Sequence, residues 1–279
     1  MATVITIANQ KGGVAKTTTA LNLAVALAHY RQKRVLLIDL DLSCNCTAGI
    51  GYEAGAQGEY GFGQVLQSIL RSTDPIPVSA AFLPTGIEGL QLIPGDRDLS
   101  NFLPPDEPLL LDAALDRVRG EYDFILIDTP PSRSVITTQA YFAADWLLVP
   151  VPPEPFALEG LADVIEMIRR FARTKTTIDP ESFYRILITK YDARESVSNR
   201  ESLAELEPFR HRVCRVKIRV NADLKHSQGA KRSIFHFNPR SSGAEDYLAL
   251  AEELITYEHG EPTSGQHGQE AFKAAAAGY

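Results

Sequence analysis

The stretch NQKGGVAKTT (residues 9–18) directly follows the apolar run TVITIA and decides how the chain folds. An apolar strand, a Gly-containing turn and a helix that begins near Lys16 aim several backbone N–H groups at one point, which favours binding of a phosphate group. In such a loop Lys16 reaches the β- and γ-phosphates, and the Thr17 hydroxyl holds Mg²⁺. Gly12 and Gly13 allow a close backbone approach that any Cβ would obstruct. The stretch therefore predicts a nucleotide phosphate site rather than an ordinary strand-to-helix turn.

The loop nevertheless departs from the standard pattern G-x-x-x-x-G-K-[ST] at both glycine positions. Gln10 stands where the first Gly belongs, and Ala15 stands where the second does. An additional lysine, Lys11, lies inside the loop. Two interpretations follow from the residues alone: a damaged nucleotide site, or a nucleotide site of a different kind.

The composition is that of a globular protein. The 279 residues are 44% hydrophobic and 23% charged, enough for one large domain or two small ones. No apolar stretch approaches the ~18 residues that span a bilayer, and the N-terminus lacks the features of a secretory signal. The three cysteines give no disulfide framework, so we expect a reducing cytosol.

The net charge of −7 is distributed unevenly along the chain. Between Arg210 and Arg240 stand nine Lys or Arg residues and one acid, Asp223, so this segment carries about +8 and the remainder roughly −15. Such asymmetry is typical of a local polyanion-binding surface in an acidic protein. A solvated basic face that binds nothing has the same charge pattern, so charge alone does not separate the two.

Apolar runs alternate with helical patterns along most of the chain. Because most of the runs are near-continuous Val, Ile and Leu, they favour a parallel sheet covered on both faces. The alternation predicts an α/β fold with one doubly wound, mostly parallel sheet flanked by helices. The predicted strands are Val4–Ala8, Val35–Asp39, Leu90–Pro94, Phe124–Asp128, Leu147–Val151 and Ile186–Thr189. The predicted helices are Thr17–Tyr30, Gly63–Arg71, Leu109–Val118, Ser134–Phe142, Ala157–Ala172, Ser198–Leu206 and Gly243–Tyr257.

No repeat or linker divides the chain, so we expect a single domain over residues 1–258. The Gly-rich region from about Gly49 to Gly63 has no periodicity and predicts a loop. Residues 259–279 shift to a polar and then Ala-rich composition, which is typical of a disordered or weakly helical tail.

The residues KGGVAKTT, in the frame K-G-G-x-x-K-T, resemble the deviant phosphate-binding loop of the ParA/MinD family of dimerising ATPases. In that family the position of Lys11 is the signature lysine, Gln10 is a familiar occupant, and Gly is usual where Ala15 stands. The resemblance identifies a different kind of site rather than a damaged one. It continues in RVLLIDLDLSCNCTAGIG, YDFILIDTPPS, VPPEPFALEGLADVIEMI, ILITKYDARESVSN and IRVNADLKHSQGAKRSIFHFNPRSSGAEDYLAL, and so extends to about residue 257. The last segment resembles plasmid and chromosome partition ATPases more than MinD.

The resemblance implies the fold of P-loop NTPases, with ATP and Mg²⁺ as cofactors, and it assigns roles to individual residues. Asp41 orients or activates the attacking water, and Asp39 helps to organise the switch region and the metal. The family usually has Pro-Gln-Gly where this chain has Leu42, Ser43 and Cys44. The implied catalytic residues are Lys11, Lys16 and Asp41; the implied metal-site residues are Thr17, Asp39 and Asp128, the last acting through a water. The implied ATP-binding residues are Lys11, Gly12, Gly13, Val14, Ala15, Lys16, Thr17 and Thr18, with Asn221 near the adenine base.

The resemblance also implies how the protein works. Lys11 crosses the interface of a sandwich homodimer that forms with ATP. Intrinsic hydrolysis of ATP is slow, and the dimer binds double-stranded DNA without sequence preference. A ParB-like centromere-binding or cargo-adaptor protein stimulates hydrolysis, so that a plasmid or chromosome is segregated by a cytoplasmic, nucleoid-associated protein. The implied DNA-binding residues are Arg219 and Arg240 foremost, supported by Lys217, Lys225, Lys231 and Arg232. Because the chain starts almost at the phosphate strand, we expect no N-terminal helix-turn-helix domain.

Four other functions remain open from the sequence. The first is positioning of a protein cargo on the nucleoid. The second is cycling on membranes as MinD does, although the tail QEAFKAAAAGY offers few bulky groups for a membrane anchor. An iron–sulfur ATPase requires cysteines beside the dimer axis, and Cys44 and Cys46 lack a further nearby pair. A DNA-binding relative without hydrolysis is the fourth, and the presence of Asp41, Lys16 and Lys11 argues against it.

Overall fold

An eight-stranded sheet forms the centre of the structure, a computed structural model that describes residues 1–154, 157–173, 178–192, 194 and 202–258. The strand order is β3-β4-β2-β5-β1-β6-β7-β8, and every neighbouring pair is parallel except β3 and β4. The strands are β1 Thr3–Ile7, β2 Val35–Asp39, β3 Leu83–Pro84, β4 Leu90–Ile93, β5 Phe124–Asp128, β6 Trp146–Val151, β7 Tyr184–Tyr191 and β8 Val213–Arg219. The predicted fold class, a doubly wound and mostly parallel sheet, is confirmed.

Both faces of the central strands are buried, which explains their continuous apolar sequences. In β5, Phe124 and Leu126 belong to the hydrophobic cluster on one face, whereas Ile125 and Ile127 belong to the cluster on the other. Successive side chains of β2 divide between the same two clusters. Successive side chains of a strand point to opposite faces of the sheet. A strand that is covered on both faces therefore needs apolar residues at every position.

Nine helices of α type have both ends among the described residues, and most lie where periodicity predicts them. They are α1 Lys16–Val25, α2 Asn45–Ile50, α3 Phe62–Arg71, α4 Leu110–Asp116, α5 Val135–Ala143, α6 Ala157–Ala172, α7 Ala222–Gly229, α8 Ile234–Phe237 and α9 Ser242–Glu258. A π-helical turn over Ala26–Tyr30 continues α1 and completes the predicted extent of that helix. Of the predicted helix Ser198–Leu206, residues 202–205 are helical and 198–201 lie outside the described residues. Among the described helices, none combines the length and the hydropathy of a bilayer-spanning segment.

The sequence prediction misses two strands and three short helices. The edge strand β8 alternates apolar and basic residues, VCRVKIR, so its sequence shows the basic segment more clearly than a strand. Helices α2, α7 and α8 contain four to eight residues and carry little apolar periodicity, so tertiary contacts rather than sequence pattern define them. The predicted loop between Gly49 and Gly63 is irregular over residues 51–61, while its ends belong to α2 and α3. The predicted tail, 259–279, lies outside the described residues.

The sheet gathers the functional segments at one edge. Ile7 and Asp39, the last residues of β1 and β2, are both register partners of Asp128, the last residue of β5. The loop that follows β1 and leads into α1 therefore begins beside two strand-end aspartates. In open α/β sheets, ligands bind outside the carboxyl ends of the strands where the strand order reverses, and this edge has that position.

Ala15, the residue before α1, occupies a conformation that favours glycine. Its φ and ψ are 75° and 31°, in the left-handed region. The same loop contains Gly13 with φ of 73°, so both positions need backbone angles that a Cβ disfavours. Ala15 is therefore tolerated with local strain, and the usual glycine at this position has a physical reason.

Replacing Ala15 with Gly should raise the free energy of unfolding by about 0.5–1 kcal/mol. Relief of the left-handed conformation, about 1–2 kcal/mol, exceeds the extra entropy that Gly loses on folding. The measurement is urea denaturation of the nucleotide-free protein. Ala113→Gly, at an exposed position inside α4, is the matched control and should have the opposite sign. A loss of stability in Ala15→Gly would contradict the strain.

Candidate active site

A cleft of about 860 Å³ opens between the loop that precedes α1 and the segment that contains α7. This volume is within the usual range for small-molecule sites. One wall contains Gly12, Gly13, Ala15, Lys16, Thr17 and Thr18, with Asp41 and Pro131 beside them; the opposite wall includes Lys190, Arg219, Asn221, Lys225, Lys231 and Arg232. Most predicted phosphate-loop residues thus line one cavity together with residues from the basic segment.

Hydrogen bonds fix the phosphate loop to the sheet. The Thr189 hydroxyl, near the end of β7, donates to the Val14 carbonyl at 3.1 Å. Asn9 donates from Nδ2 to the Pro150 carbonyl at 2.8 Å, and its Oδ1 accepts from the Lys11 N–H at 2.9 Å. A Cβ built on Gly12 meets no atom of the chain within 4 Å. Packing therefore does not explain this glycine, and close approach of a phosphate does.

Lys16 is buried at the start of α1 and points along the loop. Its ammonium donates to the Lys11 carbonyl at 3.1 Å, and the residue is 6% exposed. Burial lowers the pKa of Lys16, and the nearby Asp128 and Asp41 carboxylates oppose that shift. A buried ammonium with one backbone acceptor has two donors left for phosphate oxygens.

Asp128 is the most constrained group of the site. It is completely buried at the end of β5, and neither carboxylate oxygen has a properly formed hydrogen bond within the described structure. Burial, together with the Asp39 carboxylate, raises the pKa of Asp128 well above its usual range, while the Thr17 side chain and Lys16 oppose the rise. An unpartnered buried carboxylate is costly to maintain, and a bound cation would compensate that cost.

Asp39 has the opposite character because both of its oxygens are engaged. Its Oδ2 accepts from the Thr47 N–H at 2.8 Å and the Thr47 hydroxyl at 2.7 Å, and its Oδ1 accepts from the Asp41 N–H at 3.2 Å. Burial raises the pKa of Asp39 to about 6 against these bonds. The prediction that Asp39 contributes to the metal does not fit this arrangement as well as its role in the switch region, because its oxygens already hold α2.

The residues present fit a magnesium site at Asp128. Mg²⁺ prefers hard oxygen ligands and is held by few protein groups, often through water. Asp128 supplies two unsatisfied oxygens, and Thr17 adds a hydroxyl from the start of α1. Magnesium bound there would neutralise phosphate charge and the two strand-end carboxylates together.

Asp41 lies on the same rim and is half-buried. Its Oδ1 accepts from the Ser43 N–H at 2.9 Å, and its carbonyl accepts from the Cys44 N–H at 2.9 Å, which closes a turn. Cys44 adopts φ of 54° in this turn. The turn keeps one Asp41 oxygen available to the cleft, as its predicted role with the attacking water requires.

Lys11 is exposed at the tip of the loop, so its side chain is available to a second molecule. The preceding residue is anchored in a way that the sequence does not reveal. Gln10 accepts from Arg133 Nε at 2.7 Å and donates to the Met167 sulfur at 2.8 Å. Arg133 also pairs with Asp163 at 2.6 Å. Gln10 replaces the first glycine of the standard loop by directing its side chain away from the cleft and onto α6.

Asn221 lines the cleft but is already committed to local structure. Its Oδ1 accepts from the Leu224 N–H at 3.0 Å and caps α7, and its Nδ2 donates to the Ser242 hydroxyl at 2.7 Å. These bonds fix the position of α7 relative to α9. Its proximity to an adenine base remains a prediction.

The basic segment is less available than its net charge suggests. Arg212 is 3% exposed, Arg210 pairs with Glu207 at 3.0 Å, and Arg219 pairs with Asp246 at 2.6 Å. Arg219 also contacts Glu245 at 3.2 Å. The Arg219 guanidinium thus holds β8 against α9 and lines the cleft, but the residue is exposed, so its place as a foremost DNA contact stays a prediction.

Five predicted DNA-binding residues remain open to solvent to different degrees. The Lys217 ammonium lies 4.6 Å from the centre of the Tyr191 ring. The other four are exposed and form no ion pair within the described residues: Lys225, Lys231, Arg232 and Arg240. Lys225, Lys231 and Arg232 also line the cleft, whereas Arg240 lies outside it.

Cys44 and Cys46 are buried as free thiols next to the site. Burial raises the pKa of both thiols, and the neighbouring aspartates contribute to the rise. Cys214 is likewise buried, in the core. Protonated, enclosed thiols act as small apolar groups that pack the switch region.

Comparisons with known proteins agree with this geometry. A family model described as an AAA domain matches residues 2–179. The sporulation initiation inhibitor protein Soj of Bacillus subtilis is 35% identical over 260 residues, covering 91% of this chain and 98% of Soj. The chromosome partitioning protein ParA of Caulobacter vibrioides is 36% identical over 263 residues, covering 91% of this chain and 94% of ParA.

Among solved structures, the septum site-determining protein MinD of Pyrococcus horikoshii, complexed with Mg-ADP, has a TM-score of 0.71 at 22% identity, and the match covers 92% of this chain and 98% of MinD. That likeness concerns the fold. The likeness to Soj and ParA is one of sequence and extends over nine-tenths of the chain. The chain therefore belongs to the ParA family of P-loop partition ATPases.

Proposed function

We propose that this protein hydrolyses ATP and uses the nucleotide cycle to control binding to DNA, so that a plasmid or chromosome is partitioned. The observation that carries this proposal is the buried, unpartnered Asp128 carboxylate at the strand end beside Lys16 and Thr17. A purely structural domain gains nothing from such a group, whereas a site for a magnesium nucleotide requires one.

The residues of the cleft divide the work on ATP. Backbone N–H groups of the loop and the N-terminus of α1 bind the phosphates, and Lys16 adds a buried positive charge. Thr17 and Asp128 hold magnesium, which supplies charge neutralisation at the β- and γ-phosphates. Asp41, on the same rim, positions the attacking water. The MinD relative that carries Mg-ADP supports this choice of ligand.

The exposed Lys11 supports a homodimer that forms only with ATP. Its side chain extends from the loop tip while Gln10 is anchored behind it by Arg133. In a face-to-face dimer, a lysine at this place reaches the triphosphate of the other subunit and contributes positive charge in trans. ATP then stabilises the dimer, and hydrolysis dissolves it.

We assign DNA binding to the exposed cations around α7 and α8 rather than to Arg219. Lys225 and Arg240 are free of ion pairs within the described ranges and open to solvent, as phosphate contacts require. Dimerisation doubles the number of phosphates that can be neutralised, and affinity for a polyanion rises steeply with that number. A ParB-like partner would then trigger hydrolysis and release.

Replacing Asp128 with Asn should stabilise the nucleotide-free protein and weaken magnesium-dependent ATP binding at least about tenfold. The pKa of Asp128 is higher in the folded protein than in the unfolded chain. The free energy of unfolding therefore falls as the pH rises above about 4, the ordinary pKa of Asp, because ionisation is less favourable in the folded state. Asn removes this loss, and the stability difference should therefore grow between pH 4 and pH 8 to roughly 1–3 kcal/mol.

Denaturation at several pH values and calorimetry with and without Mg²⁺ measure the two effects of Asp128→Asn. The control is Asp123→Asn, because a hydrogen bond from Arg34 lowers the pKa of Asp123. That carboxylate contributes stability above its unfolded pKa, so its loss should be slightly destabilising at neutral pH. Equal behaviour of the two variants would refute a cation site at Asp128.

Replacing Asp41 with Ala should leave ATP binding within about threefold and reduce hydrolysis by at least about a hundredfold. The variant lacks only the group that orients water, so the ATP-bound dimer should accumulate on DNA. Single-turnover hydrolysis and size-exclusion chromatography with ATP measure this. Normal turnover by Asp41→Ala would remove the assignment of this residue.

Replacing both Lys225 and Arg240 with Glu should weaken DNA binding in the presence of ATP. The slope of log affinity against log salt concentration should decrease in magnitude by about one for each phosphate that is no longer neutralised. The melting temperature should not change, because neither side chain has an ion-pair partner in the described part of the chain. Arg219→Ala is the contrasting variant, expected to lower stability by about 1–2 kcal/mol through the unpaired, largely buried Asp246. Unchanged DNA affinity in the double variant would place the interface elsewhere.

A further inference from the structure

The segment from the last residue of α7 to the residue before α8, residues 229–233, connects the nucleotide cleft to the basic surface. Lys231 and Arg232 lie at its centre, line the cleft and are also exposed to solvent. Lys231 adopts a left-handed backbone conformation with φ of 51°. The segment, which we call the basic loop, therefore borders both regions that a nucleotide-controlled DNA-binding protein must couple.

Gln228, the residue before the basic loop, is bonded to the helix that begins at the phosphate loop. Its Nε2 donates to the hydroxyl of Thr18, the third residue of α1. Thr18 is 5% exposed and directly follows Thr17, the predicted magnesium ligand. A single hydrogen bond thus joins the start of α1 to the C-terminal end of α7.

Ile234, the residue after the basic loop, is bonded to the same helix one turn further on. Its N–H, the first of α8, donates to Asn22 Oδ1 at 2.7 Å. Asn22 is 1% exposed, and its Nδ2 donates to the Thr18 carbonyl at 2.8 Å. Since Thr18 and Asn22 are four residues apart on α1, both bonds lie on one face of this helix.

Both ends of the basic loop are therefore fastened to α1 within one turn, and its two central cations form no ion pair in the described part of the chain. Ser233 adds a local cap, with its hydroxyl accepting from the His236 N–H at 3.3 Å. The buried Ile234 and Phe235 side chains hold α8 in the core. Any displacement of α1 would therefore move both ends of the loop, while Lys231 and Arg232 border the cleft and solvent alike.

We infer that the Gln228–Thr18 and Asn22–Ile234 hydrogen bonds transmit nucleotide occupancy to the basic loop, which makes Gln228 and Asn22 positioning residues for polyanion binding. This inference rests on the proposed function and deepens it. A triphosphate at the start of α1 shifts the loop through both anchors and fixes Lys231 and Arg232 in the orientation that contacts DNA phosphates. Without the anchors, the part of the coupling that passes through the basic loop is lost, and only the part that comes from dimerisation remains.

The test uses full-length Gln228→Ala, an exposed position at which substitution leaves the core intact. The affinity for a non-hydrolysable ATP analogue is measured first. The affinity for arbitrary duplex DNA is then measured in the presence of the analogue and in the presence of ADP. We expect analogue affinity and ATP hydrolysis within about threefold of the unsubstituted protein, and a fall of about tenfold in the ratio of DNA affinities between the two nucleotides. Asn22→Ala, which removes the bond to the N–H of Ile234 in α8, should lower the ratio of DNA affinities at least as far, to the level that dimerisation alone provides.

Gln67→Ala on α3 is the matched control, since Gln67 is half-buried and outside the cleft. Hydrogen exchange of residues 229–233 gives a readout that does not require DNA. The unsubstituted protein should show different protection in the analogue and in ADP, and Gln228→Ala should show none of this difference. A merely structural role of Gln228 would instead weaken DNA binding equally in both nucleotides.

The outcomes separate the inference from the proposed function. Absence of DNA binding by the unsubstituted protein in every nucleotide state refutes the proposed function, while exchange of the basic loop still tests the anchors. If Gln228→Ala and Asn22→Ala both keep the full affinity ratio and the nucleotide-dependent protection, the inference is wrong. Loss of analogue binding in Gln228→Ala would also overturn it, because the residue would then belong to the nucleotide site.

Discussion

Two buried carboxylates at the ends of adjacent strands are the constraint on which the site depends. Asp39 and Asp128 are register partners on β2 and β5; burial raises the pKa of both, and the Asp39 charge adds to the rise at Asp128. Their charges are compensated in different ways. Asp39 is held by hydrogen bonds from Thr47, whereas the cation that opposes the rise at Asp128 is Lys16. The nucleotide-free protein therefore carries an electrostatic cost that a magnesium nucleotide would remove, so the proposed binding and the stability would be linked.

The same constraint organises the segment after β2. Asp39 accepts two hydrogen bonds from Thr47 and so fastens α2 to the sheet. The Thr47 hydroxyl in turn accepts from the Gly95 N–H at 2.8 Å, which joins this segment to the end of β4. A Cβ on Gly95 would lie 2.9 Å from the Cys44 sulfur and 3.1 Å from Asp39, so glycine allows this approach. Any change in charge at Asp39 is consequently communicated to the turn that holds Asp41.

The central strands and the phosphate loop could be predicted from sequence because each is encoded locally. Continuous apolar runs such as FILID require burial on both faces, and the loop needs its glycines and Lys16 within a few residues. The helices α7 and α8 could not be, since their positions depend on bonds to residues more than 200 positions away, Thr18 and Asn22. The edge strand β8 could not be either, because its position depends on pairing with β7 and on bonds to α9. The engagement of Gln10 by Arg133 is equally non-local. The ion pair of Arg219 could not be predicted for the same reason. Its partner Asp246 is 27 residues away in sequence, and the net charge of a segment does not show which charges pair.

The basic segment illustrates why charge and function must be separated residue by residue. An arginine committed to a largely buried carboxylate, such as Arg219, contributes rigidity and keeps few donors for phosphate. Cations without ion-pair partners among the described residues, such as Lys231 and Arg232, keep their hydration and can exchange it for phosphate at small cost. Here the rigid cations hold the β8–α9 frame, and the unpaired ones lie on a loop whose two ends are bonded to α1. In the coupling that we infer, the loop adds to the selectivity for one nucleotide state without any new charge on the subunit, provided that the frame is stiff enough for a movement of α1 to reach the loop.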